Sequence, residues 1–205
     1  AYTYLLSTIP DAADAMKSFV EFAETSSVKE MQELFLRSFD VQAITTLDMG
    51  FVLFGEDYKR GQLLVHLNSE HRKAGNDCGV ELSDHLPNVL RLLPKMTEDA
   101  MRNEIATRLV IPAMEKMIAE FSPGKIQKKD EVYKKHQKTI LEYSQKYRTV
   151  YQSLLQTVLI VLKKDFNYKE EENTGIVKGC EELPSCSCGS PEKDFKQNIE
   201  TEMVI

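Results

Sequence analysis

An all-α helical bundle is the fold class this sequence predicts, and three observations predict it. Apolar residues recur at offsets of three and four through most of residues 11 to 166. Capping and breaking residues interrupt that pattern where helices would begin and end. The one ambiguous stretch, Val41 to Gly55, reads "VQAITTLDMGFVLFG" and has no second convincing strand to pair with. The expectation is one helical domain over residues 1–166, of about six to eight helices with a long C-terminal helix. An acidic, cysteine-containing tail over residues 167–205 follows, polar and mobile.

Taken in order, Ala12, Ala15, Met16, Phe19, Val20 and Ala23 form an apolar stripe after Pro10-Asp11. Ser27 to Glu30 has capping-box form and opens a second helix with Met31, Leu34, Phe35 and Phe39 inward. Val41 to Gly55 is read as helix plus a turn. Asp57 to Lys73 is a helix with Leu64, Leu67 and His71 on one side, closed by the turn "AGNDCG". Pro87 sits in the first turn of the next helix, where its missing N–H costs little, and Val89, Leu90, Leu92 and Leu93 pack inward until Pro94. Thr97 is expected to cap a helix through Leu109. Pro112 is expected to start another, carrying Ala113, Met114, Met117, Ile118 and Phe121. From Asp130 to Phe166 the residues Tyr133, Ile140, Tyr147, Leu154 and Val161 recur every seven positions, predicting one long or once-broken helix.

The 205 residues are 42% hydrophobic and 28% charged, ordinary for a globular protein, and no apolar run approaches the length of about 20 needed to span a bilayer. "AYTYLLSTIP" has no basic segment followed by a long apolar one, so it does not read as a secretory signal. Three of the four cysteines, Cys180, Cys186 and Cys188, crowd into the tail, which is not a disulfide framework; a cytoplasmic location is expected. The net charge of −6 argues against nucleic acid as a partner. Residues 167 to 205 hold nine acids and four bases, a local −5, leaving −1 for the rest. Residues 124 to 148 carry eight bases against three acids and read as a solvated helix face, or as an intramolecular or partner contact.

Catalytic signatures are missing. The histidines are His66, His71, His85 and His136, and neither H-x-x-x-H nor H-E-x-x-H occurs. His66 and His71 stand about 140° apart around a helix and do not share an ion. The spacing C-x5-C-x-C in the tail is a weak zinc motif, and Gly-x-Ser-x-Gly, Gly-x-Gly-x-x-Gly and a Walker lysine do not occur. The chain is therefore expected not to be an enzyme and to hold no metal.

Three segments, "LFLRSFD", "GEDYKRGQLLVHL" and "ELSDHLPNVLRLL", follow one another in a way that resembles the NarJ-type nitrate reductase molybdenum cofactor assembly chaperones. These belong to the wider group of TorD/DmsD-like redox enzyme maturation chaperones. The family pattern of Leu-Phe, then Gly-Glu-x-x-x-Arg-Gly-Gln, then Glu-Leu-Pro-Asp-His-Leu-Pro is met by Leu34-Phe35, by Gly55, Glu56, Arg60, Gly61 and Gln62, and by Glu81, Leu82, Asp84, His85, Leu86 and Pro87. The similarity covers residues 31 to 95. Ser83 stands where the pattern has proline, which predicts a looser turn.

The resemblance implies an all-helical cytoplasmic chaperone without catalysis of its own. Its partner would be the catalytic subunit of a molybdoenzyme, nitrate reductase or a relative, held by its N-terminal segment. The chaperone would assist insertion of molybdopterin guanine dinucleotide and an iron–sulfur cluster into that client before membrane docking or export. It would hold no cofactor permanently, would not insert into the membrane, and would meet molybdenum cofactor biosynthesis proteins. It would be a monomer or a domain-swapped dimer. The residues expected at the client-peptide site are Asp84, His85, Glu81, Leu86, Pro87, Glu56, Arg60 and Gln62. Asp84 is expected to accept from the free N–H groups of the helix that follows it. His85 is expected to be oriented by that carboxylate and to turn its other nitrogen outward. Two alternatives stand beside this reading: an unrelated helical module that dimerises through its long C-terminal helix, and a small helical metal-dependent hydrolase.

Overall fold

A computed structural model describes residues 1–41, 43–137 and 147–169. Among them the chain is an all-α bundle, with no strand and a single antiparallel bridge between Asp48 and His85. The tail with Cys180, Cys186 and Cys188 lies outside the described residues.

Helix α1 (Tyr2–Thr8) leads through Ile9 into α2 (Pro10–Thr25), whose first position is the proline that needs no N–H partner there. Helix α3 (Val28–Phe39) opens with the capping box foreseen from Ser27 and Glu30. The Ser27 hydroxyl accepts from the Glu30 N–H, and the Glu30 carboxylate accepts from the Ser27 N–H at 2.8 Å, which lowers the Glu30 pKa. Residues 43–47 run irregularly toward the short α4 (Met49–Phe54), so only part of the "helix plus turn" stretch is helical. Helix α5 (Tyr58–Lys73) is capped by Asp57, whose carboxylate accepts from Lys59 N at 2.8 Å. A loop then leads to α6 (Leu86–Leu92), which tightens into a 3₁₀ turn at Leu93–Lys95 where Pro94 stops it.

The next run differs from expectation. Thr97 does not cap it, and Pro112 does not begin a new helix. Helix α7 (Asp99–Glu104) passes through a π-helical stretch, Ile105–Val110, directly into α8 (Ile111–Glu120). Proline has no N–H to give the carbonyl four residues back, and its ring crowds that oxygen. Widening the helix just ahead of Pro112 removes both demands without breaking the chain's direction.

Helix α9 (Pro123–Gln137) and helix α10 (Val150–Asp165) account for the long periodic segment. Tyr147–Thr149 is not α-helical, so the segment is interrupted before α10 begins. The buried side chains of α10 are Val150, Tyr151, Leu155, Thr157 and Leu162, while Leu154, Val158 and Val161 of the periodic set are partly buried against the same clusters. The reason is that α10 packs on two sides. Leu155 and Leu162 enter the main core with Met49, Leu67, Val89, Leu92, Met114 and Met117, while Ile160 and Val161 meet a smaller cluster of Leu5, Ala12 and Ala13.

Tyr151 ties α10 to α2 and α3 within the main core. Its ring lies 5.7 Å from Phe19, 5.6 Å from Phe35 and 5.6 Å from Phe39, and its hydroxyl donates to the Met31 carbonyl at 2.9 Å. Burial raises its pKa. Met31, Leu34 and Phe39 pack against the core as expected for the inner side of α3, but Phe35 is exposed and held only by the edges of neighbouring rings. From the basic stretch, Lys125 and Lys129 both grip Glu120, Lys129 also reaches the Ile44 carbonyl, and Arg148 forks onto Asp130. At these positions the basic run makes intramolecular ties.

The α2–α10 contact depends on small side chains, because Ala12 and Ala13 are both fully buried. Ala13→Leu should overpack this contact and cost about 1–3 kcal/mol, read as a lower urea midpoint with unchanged helicity at rest. A midpoint equal to wild type would show that the contact has slack.

Candidate functional site

The two motif segments of the sequence meet at one place. Helix α4 and helix α6 begin side by side, joined by the bridge: Met49 N donates to the Asp84 carbonyl at 3.1 Å and Leu86 N donates to the Leu47 carbonyl at 2.9 Å. Two helix starts bring together two positive dipole ends and several unpaired N–H groups, and two aspartates answer them.

Those aspartates exchange the duties expected of them. Asp48 is the N-cap of α4 but makes no cap bond to it. Its Oδ1 accepts from His85 Nδ1 at 3.1 Å and its Oδ2 accepts from Arg60 Nη2 at 3.3 Å. The cap comes from Asp84, whose Oδ2 accepts from Gly50 N at 3.0 Å. Asp84 was expected to cap α6, the helix that follows it. It caps α4 instead, because the loop turns its side chain inward across the bridge, and His85 at the start of α6 makes no side-chain cap. His85 is likewise oriented by Asp48 and not by its neighbour Asp84. With Nδ1 donating to a carboxylate, the neutral ring keeps its lone pair on Nε2, and the side chain is 19% exposed.

Asp84 has no exposed surface at all. Burial pushes its pKa up, the Asp48 charge adds to that, and Arg60 and the Gly50 N–H pull the other way. Arg60 Nε stands 3.5 Å from Asp84 Oδ2, too far for a good hydrogen bond, and both Arg60 Nε and Asp84 Oδ1 are buried without a hydrogen-bond partner. The guanidinium also stacks 5.4 Å from the centroid of the Phe51 ring. Gly50 is required here by space: a Cβ on it would lie 2.6 Å from Asp84 Oδ2 and 3.2 Å from Arg60 Cγ.

A second polar layer fixes the loop that carries Asp84. His71 Nε2 donates to the Ser83 carbonyl at 2.9 Å, so its Nδ1 is free to accept from Asn76 Nδ2 at 2.9 Å. Asn88 Nδ2 donates to the Cys78 and Leu82 carbonyls at 3.2 and 3.0 Å. Ser83, expected to loosen the turn, does the opposite. It is buried, and its hydroxyl donates to the Leu64 carbonyl of α5 at 3.1 Å, a bond proline could not make.

Of the eight residues singled out by sequence, the structure brings Arg60, Asp84 and His85 together. Leu86 is buried in the core beneath them. Glu56, Gln62, Glu81 and Pro87 are exposed and make no side-chain bond to the cluster. Sequence reasoning missed Asp48 and Gly50. Their signal was the "LDMG" ahead of α4, an acid at a helix start followed by a glycine inside it. Among the described residues, no three His, Cys, Asp or Glu side chains converge as metal ligands.

Phe51 also forms a wall of an open groove of about 550 Å³ between residues 43–46, α4, α8 and α9. Val52, Thr45, Lys116, Glu120 and Lys129 contribute to its lining. The volume falls in the range of about 300–1,000 Å³ common for binding clefts.

Comparison with family models, curated proteins and solved structures finds no match.

Two outcomes are expected of the cluster. Gly50→Ala should cost about 1–3 kcal/mol, since the methyl displaces the carboxylate that caps α4; urea denaturation measures it. The second concerns pH. Asp84 has a folded-state pKa raised above 3.8, so the native chain keeps a proton that the unfolded chain has already released. That contribution to stability is complete below pH 3.8 and is lost as pH rises through the raised value. Denaturant midpoints of wild type should therefore fall with rising pH relative to Asp84→Asn, and parallel profiles would show that Asp84 does not titrate differently in the two states.

Proposed function

We propose that the protein is a maturation chaperone for the catalytic subunit of a molybdenum oxidoreductase of the nitrate reductase kind. In this reading it works in the cytoplasm and performs no catalysis. It holds the N-terminal segment of the client while molybdopterin guanine dinucleotide and the iron–sulfur cluster are inserted, and releases it for membrane docking or export.

The observation that supports the reading is the convergence of the two motif segments. Glycine-glutamate to glutamine, and glutamate to proline, are separate in sequence, yet Arg60 from one stands beside Asp84 from the other, and Arg60 and His85 share Asp48. Phe51 then links that cluster to the groove, since Arg60 stacks on the ring that lines it.

The chemistry divides the motif residues by reach. Asp84 and Leu86 lie below the surface, so they position; they do not touch a client. His85, Arg60, Glu56, Gln62, Glu81 and Pro87 are the members that retain exposed surface. An amphipathic client segment would lay its apolar side in the groove against Phe51 and Val52, and the His85 Nε2 lone pair would accept one N–H from it. Among the described residues no helix is long and apolar enough to cross a membrane, which is consistent with a client delivered to a membrane partner by a protein that does not itself span one.

Titration calorimetry with the N-terminal peptide of a molybdoenzyme catalytic subunit encoded alongside this chain tests the reading. Loss of that hydrogen bond and of the aromatic contact should together weaken binding by about ten- to a hundred-fold in a Phe51→Ala, His85→Ala double variant that keeps its helicity and melting temperature. Binding of equal affinity to wild type and variant would remove the groove and His85 from the site, and no binding by wild type would remove the client.

A further inference from the structure

The groove beside the cluster is lined by two kinds of chemistry. Helix α4 supplies an apolar side through Phe51 and Val52, and Phe51 is 41% exposed there. Helices α8 and α9 supply a basic side. Lys116 and Glu120 stand one turn apart on α8, and Lys125 and Lys129 one turn apart on α9, so each pair shares a face of its helix.

The charges on the basic side do not balance. Glu120 is the one acid among the lining residues, and it accepts from Lys125 Nζ at 2.7 Å and from Lys129 Nζ at 2.9 Å. Burial would raise the pKa of Glu120, and the two lysines together more than reverse that. One carboxylate therefore answers two cations. Lys116 is exposed and has no ion pair or hydrogen bond among the described residues. Three lysines against one glutamate leave the groove at +2, in a chain whose net charge is −6. The Arg60 guanidinium stacked on Phe51 does not alter this balance, because Asp48 and Asp84 both face it. An apolar wall beside an excess of ammonium groups is complementary to a segment with apolar side chains on one side and carboxylates on the other. A neutral apolar segment would cover the lysines without pairing them, and a basic one would be repelled.

We propose that the groove takes an acidic amphipathic segment, with an apolar side chain against Phe51 and Val52 and a carboxylate at Lys116. The inference rests on the chaperone reading for the origin of that segment, the client, and adds the sign of the charge by which the groove selects it. Lys125 and Lys129 keep their bonds to Glu120 and contribute a positive field. Lys116, which has no partner of its own among the described residues, makes the direct contact.

Fluorescence anisotropy of the full chain with two labelled synthetic peptides tests the sign. Both carry leucine at the same helical positions, and one has glutamate, the other lysine, at every remaining position. The glutamate peptide should bind at least about tenfold more tightly at low salt, with the margin shrinking as salt screens it. Lys116→Glu should remove the margin. Lys17→Glu makes the same charge change on the exposed side of α2, outside the groove, and should leave the margin intact. Neither lysine is buried, so both variants should keep the helicity and melting temperature of wild type. The N-terminal peptide of the molybdoenzyme subunit encoded alongside this chain, titrated in parallel, separates the two readings. If the glutamate peptide binds through Lys116 and the N-terminal peptide does not bind, the acid preference stands and that client falls. If the N-terminal peptide binds wild type and Lys116→Glu equally, the acid preference falls and that client stands. A glutamate peptide that does not bind, or binds no better than the lysine peptide, overturns the proposal. Equal effects of Lys116→Glu and Lys17→Glu overturn it too, since bulk charge would then account for the margin.

Discussion

The buried carboxylate of Asp84 holds together two parts of the chain that local sequence would leave apart. It reaches from the start of α6 to the start of α4, accepts the Gly50 N–H, and takes the place of the cap that Asp48 would otherwise supply. Asp48 is thereby released to bind His85 and Arg60. A carboxylate without exposed surface is costly, and its raised pKa is the sign of that cost. What offsets it is a helix N-terminus, a guanidinium and one N–H, all delivered by elements that could not meet without the bridge between Asp48 and His85. Remove the carboxylate and the Gly50 N–H loses its acceptor, with Asp48 left as the one carboxylate facing both helix starts.

The dependence runs outward from there. Asp84 can point inward only if its loop is fixed, and the loop is fixed by His71, Asn76, Asn88 and Ser83, each bonded to backbone of a different turn. Gly50 has to lack a side chain because the carboxylate occupies that space. Leu86, one position after His85, anchors the start of α6 in the core, so the polar cluster sits on packed hydrophobic side chains. The exposed members of the motif inherit their positions from this buried framework. His85 is the clearest example, since Asp48 sets its tautomer and its direction.

Much of the fold was legible because helix signals are local. The Ser27–Glu30 box, the Asp57 start of α5, Pro87 in the first turn of α6 and the Met-rich face of α8 are all written within one or two turns of chain. The errors have one cause each. Pro112 reads as a start because its missing N–H suits a first turn; that a π stretch would let the helix continue depends on what packs around Ile105 and Val110. The heptad in α10 finds residues that pack but misses Tyr151, Leu155 and Leu162, because a helix contacted on two faces has no single stripe. In the site, Arg60, Asp84 and His85 were found through motif spacing, while Asp48 and Gly50 were not. Local rules assign a cap to the residue preceding the helix, and here the cap comes from 34 residues away. No pattern within one segment encodes that exchange.

The exchange also bears on what the motif residues are for. If Asp84 were a contact residue, a surface aspartate with ordinary solvation would serve, and nothing would demand Gly50 or a second aspartate. The structure instead commits Asp84 wholly to the interior, and on the proposed reading recognition would fall to groups that it places. Arg60 stands between the two roles: it neutralises Asp48 and Asp84, stacks on Phe51, and keeps part of its guanidinium at the surface. Any partner that displaced Arg60 would leave two aspartates without their cation, one of them fully buried. A ligand in the adjoining groove is therefore expected to add to the Arg60–Phe51 stack and not to replace it, since breaking a buried ion pair by removing one partner costs about 3–5 kcal/mol. On the proposed reading, that constraint keeps the Arg60–Phe51 stack in place as the wall against which a client segment would order itself.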